Sequence, residues 1–484
     1  MIAALGAGIG LGLLGLPLWF GWVGLLWPWL FFNQFGRPHP YLWISCFCLG
    51  IGQSQLAWLV GSPYLQTSTA PLQALLFFEA HILLSYLPLA LLLSIGHKAA
   101  AWQRQYEPKG VFAVLFPPLY LGFLVLSDSW PWPHLLLPSI SLRPLVTTVY
   151  AASYPWIGSK GVEVFLIMAL VAAFLSWKQL LLVSKKAWSG CLFLLLAPLL
   201  INTTSVTPPT QGSIKVAYLP RSRTLGAQPQ RNQVMSKISL RTKKALDLGV
   251  DVVIWPAGAL SGLVDSRKSA QWLLNVLPPH QSIIFGTSTK QHNHVYWLSH
   301  HKTQVIPITG LASQDPCQPP GLLSGTYNTP DNLSTTAGIF DLPNFSLAPG
   351  LCLEQYQDLW YQKREPFTQG YVFLASESSY SLLGKQILVN LGKVKAMQST
   401  KPTLKVADGA LSGLVFAAAP AQDLGQWHSN LLTGEIQLLG VPQVSPFYRF
   451  GLTLLSVLLV CFSAIMLWLL VPRLDRQQRD YTKG

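Results

Sequence analysis

The chain has 484 residues, half of them hydrophobic and 11% charged, with 18 tryptophans and a formal net charge of +14. Such a balance excludes one soluble globule, in which about a quarter of the residues carry charge. The basic residues are scattered and form no binding module, so nucleic acid is not an expected partner.

The apolar residues concentrate in the first 202 positions and again at 450–471, while 203–448 has ordinary globular composition. A run of about 18 or more apolar residues is long enough to cross a bilayer as a helix. On that basis spans are predicted at 2–16, 17–33, 41–61, 72–95, 111–127, 159–182, 187–202 and 450–471. Gly6, Gly8, Gly10, Gly12 and Gly15 punctuate the first span. With no strand before them they read as close helix packing and not as a phosphate loop. The first basic residue is Arg37, so the start lacks a cleaved leader's basic region and reads as a retained membrane segment.

Orientation follows from lysine and arginine. Lys98, Arg104 and Lys109 form one basic set, Lys178, Lys185 and Lys186 a second, and Arg473, Arg476, Arg479 and Lys483 a third. All three sets can be cytoplasmic together, which turns 203–448 outward, to the periplasm of a bacterium. The expected division is a helical membrane part at 1–202, an α/β part at 203–448, and a closing helix with a basic tail at 449–484. The positive charge also suits contact with anionic membrane lipids.

The middle part reads as alternating strands and helices. A strand at Ser213–Leu219 is followed by a basic amphipathic helix at 231–248 and a buried strand at Asp251–Trp255. Gly249 is the helix stop. A helix-like stretch at 266–277 and strands near 281–287 and 293–298 come next. Residues 310–335, rich in Gly, Pro, Ser and Thr, read as a long loop. A strand leads into Cys352, then come a polar segment at 355–365, a strand at 371–375, a helix near 381–399, and strands near 403–407 and 411–418.

Several local patterns point one way. Val252-Val253-Ile254-Trp255-Pro256 is a strand ending in Trp-Pro, Lys302 is followed by Pro307, and Cys352-Leu353-Glu354 closes an apolar run. Lys395-Ala396-Met397, then Lys401-Pro402-Thr403-Leu404-Lys405 and Asp408-Gly409, follow in order, as do Gly158 and Gly161-Val162-Glu163 in the membrane part. In order, spacing and topology the whole chain resembles the apolipoprotein N-acyltransferase family: membrane helices, an outward nitrilase-like αββα domain, and one closing helix. The resemblance implies acyl transfer in two steps without a cofactor or metal. Cys352 attacks the ester of a phospholipid, and the thioester is then taken by the N-terminal amine of a lipoprotein or other protein acceptor. Lys302 is the expected cation beside thiolate and oxyanion. Trp255, Glu377 and Tyr380 are expected to line the substrate.

The chain departs from that pattern at the base. Ala257 stands where the family places its catalytic Glu, Gly310 where a second active-site Glu is expected, Ser376–Tyr380 where an Asn-Asp-Ala-Trp-like loop is, and Gln398 where a Glu is common. A thiol nucleophile needs a proton acceptor. Glu354, Glu377 or one of His294, His300 and His301 could take the role. Otherwise the scaffold is catalytically silent and binds lipid or a partner, as a relative in a conjugative transfer system would. Soluble-amide hydrolysis is a third reading, which the membrane helices argue against. Cys352 could also be an inert buried thiol, or pair with Cys317, and Lys302 a solvated surface lysine. Cys46 and Cys48 lack a His partner, so no metal site is expected. Glu79 and His81 fall within a span, where charge is costly and usually faces the bundle interior. Lys160 and Glu163 read as an interfacial ion pair.

Overall fold

The computed structural model describes residues 1–14, 24–56, 71–103, 105–129, 140–143, 146, 149–180, 210–218, 231–256, 277–288, 293–299, 303–308, 339–342, 345–351, 358–376, 382–408, 414–416, 426–428, 431–439, 445 and 447–470.

The N-terminal part is a bundle of apolar helices: α1 (Ile2–Leu13), α2 (Trp27–Phe32), α3 (Pro40–Leu56), α4 (Pro71–Trp102), α5 (Pro108–Ser129) and α6 (Tyr154–Trp177). Glycine sets the closest contact. A Cβ on Gly8 would stand 2.0 Å from the Phe47 carbonyl oxygen, and one on Gly50 2.3 Å from that of Leu5, so α1 and α3 touch backbone to backbone. Four stretches among the described residues are long and apolar enough to cross a membrane: Ile82–Trp102, Pro108–Ser127, Ala151–Trp177 and Leu452–Leu469. The chain therefore carries multi-pass membrane helices. Helix α6 starts five residues before the predicted 159, because Pro155 suits a helix's first turn and a break at Gly158 (φ +64°) separates that turn from the rest. The predicted span 187–202 lies outside the described residues, as does part of 17–33.

Neighbouring helices fix which end is which. Gly52 of α3 meets Ile82 and Tyr86 of α4, while Trp43 meets His97, so the two are antiparallel. Gly96 of α4 faces Leu119 of α5 and Tyr86 faces Phe123, again antiparallel. Tyr120 of α5 meets Glu163 of α6, and Gly110 meets Leu175. Lys98, Lys109 and Lys178 thus share one end of the bundle.

The α/β part has two sheets. The first runs β11-β12-β1-β2-β3-β4-β5 and the second β10-β9-β8-β7-β6. Their strands are β1 (Thr210–Tyr218), β2 (Val252–Trp255), β3 (Ser282–Ser288), β4 (Asn293–Ser299), β5 (Thr303–Ile308), β6 (Phe340–Leu342), β7 (Phe345–Leu351), β8 (Gly370–Ser376), β9 (Thr403–Asp408), β10 (Leu414–Phe416), β11 (Gln426–His428) and β12 (Leu431–Leu439). Alternate residues of both sheets meet in one apolar layer, with Val252, Ile254 and Ile284 on one side and Leu347, Leu351, Val372 and Val406 on the other. The opposite face of the first sheet is covered by α7 (Arg231–Leu246), whose Ile238, Ala245 and Leu246 pack on Val253, Trp255 and Phe285. The opposite face of the second is covered by α8 (Asp358–Arg364) and α9 (Leu382–Ser399), with Trp360 and Tyr361 against Tyr371 and Phe373. This is the expected αββα layering. Burial on both faces is why β2 reads as an unbroken apolar run.

Three strands lie where the sequence predicts none, β5, β11 and β12, and β12 pairs antiparallel with β1 from Leu432 to Leu439. The closing helix α10 (Leu452–Leu469) runs back along α5 and α6, and Leu470 reaches Gly110.

Candidate functional site

Cys352, Lys302, Glu354, Glu377 and Tyr380 lie outside the described residues, as do Ala257, Gly310, Cys317, His300 and His301. The strand ends beside them are described. Leu351 of β7 pairs with Leu374 of β8, Leu374 with Val406 of β9, and Ser376 with Asp408, all in parallel register. The residues preceding Cys352 and Glu377 therefore close neighbouring strands at one sheet edge. In the row just beyond Leu351, Ala375 and Ala407 are at most 1% exposed. They belong to one apolar cluster with the membrane helices and with Ile387, Leu388, Leu391 and Val394 of α9. Asn390 of α9 donates to the Leu142 carbonyl at 3.0 Å. Helix α9 thus joins this side of the sheet to the membrane bundle, at the end away from Lys98, Lys109 and Lys178.

The other predicted members sit on the first sheet. Trp255 ends β2, is 2% exposed, and faces α7, where its indole N–H donates to Thr242 Oγ1 at 3.2 Å. Thr303, next to Lys302, pairs with Leu298, which pairs with Ile283, which pairs with Val253. Thr303 is therefore level with the start of β2, three strands and about 14 Å across at ordinary strand spacing. The end of β5 level with the end of β3 is Ile308, since Ser288 pairs with Asn293 and Asn293 with Ile308.

Between the bundle and the second sheet lies a buried polar knot that the sequence did not signal. Asp358, the first residue of α8, pairs with Lys160 of α6 at 3.2 Å and with Lys395 of α9. Burial pushes the Asp358 carboxyl up, but Lys395 and Lys160 outweigh it and hold the group well below the usual carboxylate range. Gln398 donates to Asp358 Oδ1 at 2.9 Å and to the Tyr448 hydroxyl at 3.0 Å. Close by, Glu365 Oε1 accepts the Ser445 N–H at 3.0 Å, and Lys401 donates to the Glu365 main-chain oxygen. Burial pushes the Glu365 carboxyl up to about 8, against the pull of Lys401. Burial likewise pushes Lys401 down to about 8. Lys160 and Asp358 are 198 positions apart in sequence, so no local pattern could pair them.

A second polar group sits inside the bundle. The Tyr120 hydroxyl donates to Glu163 Oε1 at 2.6 Å, the Tyr86 hydroxyl bonds Gln55, and Arg143 donates to the Gly12 carbonyl at 2.7 Å. Glu79 accepts from Gln53 at 3.2 Å. Glu163 and Arg143 are 1% and 3% exposed and lie within each other's electrostatic reach. Intramembrane charge is kept where it is paired and where it matters to function. The sequence marked Glu163 and Glu79; Arg143, isolated between two spans, gave no such signal.

The chain is similar to an apolipoprotein N-acyltransferase. That protein, from Caulobacter vibrioides, is 24% identical over 253 residues, which are 45% of this chain and 46% of the relative. The match thus spans about half the length of that curated relative. No family model matches the chain. Among solved structures, an amidase from Nesterenkonia sp. overlaps 49% of this chain and 95% of its own at 11% identity and a TM-score of 0.35. A carbon-nitrogen hydrolase from Helicobacter pylori G27 overlaps 46% and 89% at 12% identity and a TM-score of 0.34. Likenesses this faint say nothing of catalysis.

Proposed function

We propose that the chain is a membrane-bound N-acyltransferase that moves an acyl group from a phospholipid, through a Cys352 thioester, to the N-terminal amine of a lipoprotein. The observation that carries this reading is the placement of the second sheet. The strands that deliver Cys352 and Glu377 belong to the sheet that α9 joins to the membrane helices, so an acyl chain can stay in an apolar surround near the thiol that meets its ester. Similarity to the Caulobacter protein supports the same chemistry. The basic residues at the opposite end of the bundle favour an α/β part on the outer face of a bacterial inner membrane. The division at about 202 and 449 follows from the same topology.

In the first step a carboxylate, Glu354 or Glu377, takes the thiol proton. Sulfur attacks the ester carbon, the C–S bond forms, the C–O bond breaks, and the leaving lysophospholipid oxygen receives that proton. In the second the acceptor amine attacks the thioester, C–N forms, C–S breaks, and the amine proton returns to the carboxylate. Lys302 is the proposed cation for thiolate and oxyanion. The level of its neighbour Thr303, at the starting side of β5, makes Lys302→Ala the first test of that role.

The whole reading is tested by incubating the purified chain with phospholipid and weighing the peptide that contains Cys352. An acyl mass on that peptide, removed by hydroxylamine and absent from Cys352→Ala, is expected. A peptide that stays unmodified at saturating lipid sinks it. Ala257 in place of a carboxylate favours a second reading, a silent lipid-binding scaffold. On that reading Cys352→Ala keeps the protein's biological role.

A further inference from the structure

The buried knot at Asp358 does more than neutralise charge. Helix α6 breaks at Gly158, and the Phe447 ring fills the space a side chain there would need, 2.4 Å from an ideal Cβ. Broken helices are tolerated at membrane depth where protein covers the freed backbone. Here the cover comes from the α/β part: the Ser159 N–H donates to Gln398 Oε1 at 3.4 Å. The same amide donates through its nitrogen to Asp358 and to Tyr448. A Gln can accept on one side and donate on the other; a Glu at 398 has no hydrogen to give Asp358 and adds a like charge. The two carboxylate oxygens of Asp358 are then divided between the two halves of the chain, Oδ2 to Lys160 of the membrane helix and Oδ1 to Lys395 and Gln398 of α9. Asp358 opens α8, six positions after Cys352.

We propose that Asp358, Gln398 and Lys160 are positioning residues that fix the segment after β7, and with it the Cys352 thiol, relative to the broken membrane helix α6. This rests on the reading of Cys352 as the nucleophile. Lys160 supplies the membrane side of this ion pair and Lys395 the domain side, so removing Lys160 loosens the registration of the start of α8 on α6 without opening the α/β layers. Acyl transfer from a bilayer needs this, because the ester of a membrane lipid presents itself at a set depth and the sulfur must meet it there.

The test uses the full chain in phospholipid nanodiscs. Alkylation of Cys352 by a lipid-anchored maleimide is compared with alkylation by a water-soluble one, read on the Cys352 peptide by mass. Lys160→Met is expected to lower the ratio of the two rates about tenfold, a misplacement effect, while the soluble rate holds within twofold. Asp358→Asn lowers the ratio similarly, and the Lys160→Met/Asp358→Asn pair lowers it no further. The exchange Asp358→Asn/Gln398→Glu returns one carboxylate to the two lysines and restores the ratio. A ratio unchanged in Lys160→Met, a multiplied loss in the pair, or an exchange that restores nothing overturns the proposal. Should Asp358→Asn not fold, Lys160→Met and the exchange decide alone. Alkylation requires no turnover, so a missing thioester adduct and a missing positioning effect are separate failures.

Discussion

The two ends of the membrane bundle are equally buried and chemically opposite. At the end marked by Lys98, Lys109 and Lys178, Trp27, Phe31, Phe32, Trp43, Phe47, Phe112 and Phe116 form a ring-on-ring knot, all at most 2% exposed. Phe31 stacks on Phe47 with centroids 3.9 Å apart, and Trp27 lies 5.0 Å from Phe116. At the end that meets the α/β part, Gln55, Tyr86, Tyr120, Arg143 and Glu163 bond one another or nearby backbone. Losing a ring contact costs packing but strands no polar group. A buried polar group is directional, and losing one partner leaves the other to bear its full desolvation. The difference teaches that the bundle is anchored at one end and addressed at the other: the polar end continues, through Ser159 and Lys160, into the layers that carry the candidate site.

The largest effect that would sharpen this contrast is one of pH. Glu365, held up near 8 by burial, binds a proton in the fold that the unfolded carboxyl has already lost above about 4.5. Its stabilisation is therefore lost as pH rises from 4.5 to 8. Lys401, pushed down to about 8, lacks in the fold a proton that the unfolded amine holds up to 10.5. Its contribution is present above 10.5 and is lost as pH falls to 8. The two limbs meet in a stability minimum near pH 8, and each unit of displacement is worth about 1.4 kcal/mol. Unfolding midpoints of the protein in nanodiscs from pH 5 to 10 are expected to trace that dip. Glu365→Gln should flatten its acidic limb. A monotonic profile would show that the polar junction does not hold its charges as described.

Next in size is Arg143→Met. It removes the Arg143 bond to the Gly12 carbonyl and the positive charge within electrostatic reach of Glu163, a loss of about 1–3 kcal/mol. Resistance to denaturant in micelles reads it, and Arg143→Met/Glu163→Gln should regain most of the loss by removing the stranded charge. A single variant as stable as the parent contradicts the coupling between the two groups.

Much of this architecture was legible in the chain. Hydropathy located the long helices, and the Val252–Trp255 run, the Gly249 stop (φ +71°) and the helix ending near 399 marked the layers. What stayed hidden was set by distance along the chain. The role of Gly158 depends on Phe447, nearly three hundred positions on, and Gln398 reads as a lost Glu until Ser159 and Asp358 are seen on its two sides. Strand β12 was missed because its pairing with β1 comes from the far end of the fold. Of the candidate site, the strand leading into Cys352 was legible. That α9 joins this sheet to the membrane helices was not, because it depends on contacts such as Asn390 with Leu142, 248 positions apart.

The smallest effect separates the two ends most cleanly, since it compares changes of similar bulk. Tyr120→Phe removes one oxygen and keeps the ring that stacks on Phe116 at 5.9 Å. Glu163 then loses the donor 2.6 Å from its Oε1, a hydrogen bond to a charged group, worth about 1.5–3 kcal/mol. Phe31→Leu, in the aromatic knot, keeps an apolar group and strands no polar atom, and its expected loss is the ring contacts with neighbours such as Phe47, each worth about 0.5–1.5 kcal/mol. Both are measured as shifts in denaturant midpoint under one condition. Tyr120→Phe should be the more damaging although it deletes a single atom and Phe31→Leu reshapes a whole side chain. The reverse order would mean that the polar end is held by shape, as the aromatic end is, and that hydrogen bonding there adds little.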